Sequence, residues 1–168
     1  MARCRFRPTE LVEAVRTRFV DLAPPDIVSF RRPHGGTQPL CLGDQMDVRI
    51  RGAGAAQVRV AHVTSQTFTL STLEGHPEAG RITFGAYRNE RGDVLFHIRS
   101  RARSSSRVRR YGFLLAGDPM QTYTWTDFVG TVASTFGDGV VGFIHADTAR
   151  VVDTAREDDG PTFEATGD

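Results

Sequence analysis

A chain of 168 residues, 39% of them apolar and with a formal charge of +1, fits one soluble folded domain with its own core. Two cysteines, Cys4 and Cys41, are too few for a disulfide framework and too far apart for a metal knuckle, so both read as reduced thiols in a cytoplasmic protein. No apolar run reaches the length of a membrane span, and none follows the basic start, so neither an anchor nor a signal peptide is expected.

All 21 basic residues are arginine, a usage that with abundant Ala and Gly is common in GC-rich genomes and carries little functional weight. Their distribution is uneven: Arg crowds residues 99–110, and acid gathers after residue 157.

Residues 1–8 read as a flexible lead-in. A helix fits 9–22, with Thr9 able to cap it, Leu11, Val15, Phe19 and Leu22 at helical spacing, and Pro24-Pro25 to stop it. Residues 32–39 hold two Pro and two Gly and read as a loop.

From residue 45 the period changes to two. Met46, Val48 and Ile50 alternate with Asp47, Arg49 and Arg51 in a half-buried strand. After Gly52-Ala53-Gly54, a second strand places Val58, Val60 and His62 on one face, and a third does the same with Phe68, Leu70 and Thr72. The stretch 74–80 is a loop, Ile82, Phe84 and Ala86 mark a fourth strand, and Asn89-Glu90-Arg91-Gly92 closes a hairpin. The fifth strand, 93–103, sets Val94, Phe96, Ile98 and Ser100 against His97, Arg99 and Arg101; residues 111–115 are the expected sixth.

Asp118, Pro119 and Gln121 form a helix start with cap, first-turn proline and capping box. Trp125, Phe128, Val129, Val132 and Phe136 then share one face, and Gly137 is placed to end the helix. A short strand is expected within 140–152, and the tail 153–168 is acidic and expected to be disordered. Consecutive strands with short turns make an antiparallel meander of about six strands, and helices at both ends give an α+β fold with the helices on one face. Phe68, Phe84, Phe96, Trp125 and Phe128 should line the space between sheet and last helix.

Helix, meander and long closing helix resemble the helix-grip arrangement of the START and birch-pollen-allergen superfamily. The stretch from Thr72 through Gly75-His76-Pro77-Glu78-Ala79-Gly80 and Phe84 to Ser100-Arg101 is similar to an uncharacterised bacterial and plant branch with a comparable Gly-His-Pro-Glu-x-Gly loop. It departs from that branch at Arg81-Ile82, where acidic residues are usual, and at Ala102, where proline is usual. The resemblance implies a curved sheet gripping the last helix over a cavity for lipids, polyketides or other apolar molecules, with catalysis in some members only.

The chemistry legible in the residues is sparse. Gly137-Asp138-Gly139-Val140-Val141-Gly142 spells a dinucleotide fingerprint but follows a helix with no βαβ unit behind it, and is discarded. The arginines at 99, 101, 103, 107, 109 and 110 could hold phosphates or an acidic partner. Strand alternation, near-neutral overall charge and the absence of a nucleic-acid motif argue against nucleic acid. His62 on an inward face is either a hydrogen-bonded core residue or a pocket base. His76 and Glu78 are either an acid–base pair at a cavity mouth or part of a structural turn. No metal spacing and no nucleophile elbow is present, so no metal or cofactor is expected. The expected function is binding of a small apolar ligand, with Thr72, Ser100 or His62 orienting its polar end; a cyclase- or dehydratase-type enzyme on the same cavity and an Arg-strand interaction protein are the alternatives.

Overall fold

The computed structural model describes residues 4–33, 35–51, 54–73, 80–102, 119–140 and 142–146. Helix α1 (Pro8–Leu22) is followed by strands β1 (Val28–Arg31), β2 (Gln45–Ile50), β3 (Gly54–Val63), β4 (Thr67–Thr72), β5 (Gly80–Arg88) and β6 (Val94–Ala102), then by helix α2 (Pro119–Phe136). The strands pair antiparallel in chain order into one curled six-stranded sheet, the α+β arrangement read from the sequence. Both helices lie against its inner face, α1 over β1, β4 and β5, and α2 over β6 and beside α1. Among the described residues, no helix is long and apolar enough to cross a membrane.

Helix α1 starts one residue earlier than expected, and Thr9 is not its cap. Arg7 holds the extended cap position, Pro8 takes the first helical place, and the Arg7 backbone N–H donates to Glu10 Oε2 at 2.8 Å. Proline suits this place because the N–H it lacks would have no helical partner there. Phe6 and Cys4 reach α2: the Phe6 ring meets Phe136 edge-on at 5.6 Å, and the Cys4 thiol donates to the Phe136 carbonyl at 3.6 Å. Helix α2 ends at Phe136 as expected, but the left-handed residue that turns the chain is Gly139, whose N–H bonds the Ala133 carbonyl at 3.2 Å.

Strand β1 was not legible in the sequence. Its four residues show the buried–exposed alternation only once Val28 and Phe30 are paired with Ile50 and Val48 of β2. It takes the place in the six-stranded count that residues 111–115 were expected to fill; that segment lies outside the described residues. So do the arginines at 103, 107, 109 and 110, Asp118, the tail 153–168, and His34. The strand expected within 140–152 is absent from residues 140 and 142–146, and the rest of that window lies outside the described residues.

The core is centred on one α1 residue. Phe19 meets Phe30, Phe68, Phe84 and Phe128 with ring centroids at 4.9, 5.7, 5.2 and 5.5 Å. Phe68 and Phe84, directly opposed on β4 and β5, stack at 4.8 Å and 12°. Phe19, Phe68, Phe84 and Phe128 are all essentially without exposure. Each such ring contributes about 1.5–3 kcal/mol by leaving water, plus the edge-to-face geometry aromatic pairs prefer.

Candidate functional site

The inner face is filled at its centre and incompletely filled at one end. A cavity of about 30 Å³ lies there, lined by Phe30, Val48, Val58, Leu70, Thr72, Gly80, Ile82 and Trp125. Period-two alternation on β2 to β5 aims Val48, Val58, Leu70 and Ile82 at it, and α2 supplies Trp125. A space of this size holds about one water molecule, against roughly 300–1,000 Å³ for a pocket that encloses a drug-sized ligand.

Two polar groups mark its wall. The Thr72 hydroxyl accepts the Gly80 N–H at 3.1 Å, tying the last residue of β4 to the first of β5. The indole N–H of Trp125 is buried with no hydrogen-bond partner among the described residues. A buried donor left unpaired forgoes about 1–3 kcal/mol, so an acceptor brought to it gains more than at a hydrated surface.

Of the residues expected to line a ligand space, Trp125 and Thr72 line this cavity. Phe68, Phe84 and Phe128 pack on Phe19 and on one another instead, and Phe96 stacks on Phe128 at 6.3 Å. Ser100 shares the inner-face phase of β6 but is exposed, opposite Ile82 near the strand end. His62 is corrected outright. A β-bulge between Val60 and His62 shifts the register, so Val60 opposes Leu70, His62 opposes Thr69 and Val63 opposes Phe68. One extra residue reverses a strand's two faces, which turns Val63 inward and His62 out to solvent. His76 and Glu78 lie outside the described residues; Thr72 and Gly80, on either side of that segment, both line the cavity.

The sequence reading missed Phe30, because β1 itself was missed. It also passed over His97. The His97 ring lies across the face of Gly85, where a Cβ would come within 2.7 Å of Cε1 and 2.9 Å of Nε2. Its Nδ1 is buried without a partner among the described residues, and burial, then the nearby Arg99 charge, lowers its pKa. The signal available was the cross-strand pairing of a glycine with a histidine, which needs the register. Among the described residues, no three His, Cys, Asp or Glu side chains come together to hold a metal ion.

Residues 22–128 match the family described as "Domain of unknown function (DUF1990)". The chain belongs to that family. The DUF1990 span runs from the end of α1 through the whole sheet to Phe128 of α2, so it contains every residue of the cavity wall. No curated protein matches the chain. The crystal structure of protein CV1439 from Chromobacterium violaceum is similar to this DUF1990 protein with a TM-score of 0.46 and 12% identity, covering 77% of this chain and 89% of that one. A likeness at that level transfers nothing about binding.

Proposed function

We propose that the domain binds a small apolar molecule, lipid- or polyketide-like, by inserting one end of it beneath Trp125. The observation that supports this most is the unfilled cavity at the sheet's end, walled by apolar side chains and by a tryptophan whose buried N–H lacks an acceptor among the described residues. The centre of the inner face is occupied by the Phe19 cluster, which leaves no room for the ligand there. The resemblance to the START and birch-pollen helix-grip superfamily belongs to the same proposal, with the cavity much smaller than that superfamily implies.

The chain has one tryptophan, so its fluorescence reports on this site alone. Titration with decanoate is expected to change Trp125 emission saturably. Calorimetry with Trp125→Phe is expected to show decanoate bound about fivefold more weakly, the share of one hydrogen bond, with a neutral hydrocarbon of equal length unaffected. Native mass spectrometry of protein from its own host, followed by organic extraction, should recover an apolar molecule in stoichiometric amount. Unsaturable emission together with an empty protein in repeated preparations would overturn the proposal.

A further inference from the structure

The outer face of β3 to β6, opposite both helices, carries a charge arrangement that only the register reveals. One row across the sheet reads Gln45, Arg59, Ser71, Arg81 and Arg101, each residue paired with the next. The adjacent row reads His62, Thr69, Thr83 and Arg99. Beyond it come Thr67, Gly85 and His97, then Tyr87 opposite Leu95. Arg59, Arg81, Arg99 and Arg101 are exposed, and among the described residues none forms an ion pair. Asp47 lies on the same outer face one row from Gln45 and Arg59, where Arg31 and Gln57 hold it; Asp44 is paired with Arg32 and Glu10 with Arg7. A formal charge of +1 is therefore an average over a molecule whose fold leaves one end of one face cationic.

We infer that this face binds single-stranded nucleic acid, with phosphates on Arg81, Arg99 and Arg101 and a base on Tyr87. Arg81 and Arg101 are direct cross-strand partners. Like charges so placed repel in the bare fold, and an anion bridging them removes the repulsion. Guanidinium groups take phosphate oxygens in a planar fork, and the Ser71 hydroxyl, with the one proton left over by the Thr69–Thr83 hydroxyl pair at 2.9 Å, adds neutral donors. The aromatic end of the face decides between anions. Tyr87 is 46% exposed, with its ring 5.7 Å from that of His97. A nucleobase gains by stacking on such a ring, whereas the carboxylates that would bring an acidic peptide to the arginines gain nothing from it. Tyr87 is six residues along β5 from Arg81, about 20 Å at strand rise, enough for two to three nucleotides of extended strand.

The test is fluorescence anisotropy of the full chain with a labelled 15-residue oligothymidylate across a salt series. Binding should weaken as salt rises. Arg81→Gln with Arg101→Gln should lower affinity at least tenfold and reduce the log–log salt slope by about 1.4, the share of two single-strand phosphates. Tyr87→Ala should weaken binding about tenfold at every salt concentration and leave the slope unchanged. Unchanged thermal melting shows that each variant is folded; should the double variant not fold, Arg81→Gln and Arg99→Gln make the same comparison singly, each reducing the slope by about 0.7. Absence of binding at low salt, or binding indifferent to these arginines, overturns the inference. Equal affinity for poly-glutamate with no effect of Tyr87→Ala overturns it in favour of an acidic protein partner. Capture by phosphatidylserine vesicles without oligonucleotide binding overturns it in favour of a membrane surface.

Discussion

The centre and the end of the inner face are built from the same kinds of residue and differ in what covers them. At the centre, α1 drives Phe19 down onto Phe68 and Phe84, and α2 closes the cluster with Phe128. At the end, Val48, Val58, Leu70 and Ile82 line a cavity to which α2 contributes Trp125. Strands alone produce two similar apolar surfaces; the reach of a helix over them decides which becomes core and which is left able to take a ligand. The contrast extends through the sheet. Behind the packed centre His97 presses on Gly85, the residue next to Phe84, so that part of the sheet is tightly packed on both sides.

Three substitutions test this contrast. Phe84→Ala removes a ring at the centre and should cost about 3–5 kcal/mol in denaturant unfolding, while an apolar probe is still taken up in whatever fraction stays folded. Loss of probe uptake at unchanged stability would make the centre part of the binding site and erase the distinction. Val58→Ile adds one methylene at the end, where the cavity has room for it. It should stabilise by up to about 0.8 kcal/mol and lower decanoate affinity, whereas a destabilised variant would mean that the end is as tightly packed as the centre.

The smallest effect concerns pH. The folded protein holds His97 below its ordinary value of 6.5 because burial, and then Arg99, disfavours the imidazolium. Above that value both states are neutral and the stability is fully present. As pH falls through it, the unfolded chain binds the proton first, so stability declines and levels off once the folded form is protonated too. His97→Gln should remove that part of the acid-side decline, measured as melting temperature between pH 7.5 and 5. An unaltered profile would place the ring in water rather than against Gly85.

How much was legible follows from the range of the interactions involved. Alternation along β2, β4, β5 and β6 and the helical spacing of Leu11, Val15 and Phe19 were readable, because each reports only which side of a local element is apolar. Strand β1 was not, since four residues carry too little period to stand out without the partner they pair with. Period two carried along β3 points His62 inward; the bulge that turns it out leaves no mark in a single strand. The aromatic set was readable as inward, but not as filled, because whether five rings enclose a space depends on Phe19, which lies roughly 50 to 110 residues from them in the chain.

The sequence by itself determined the class of fold, the number of layers and the apolar face of nearly every element, because these rest on the backbone's own periods and on turn chemistry within a few residues. The tertiary structure alone decided which aromatics are core, where the unfilled cavity lies beneath Trp125, and that Arg59, Arg81 and Arg101 share one row. Those outcomes depend on register and on how far each helix reaches over the sheet, and both are set by contacts between residues distant in the chain.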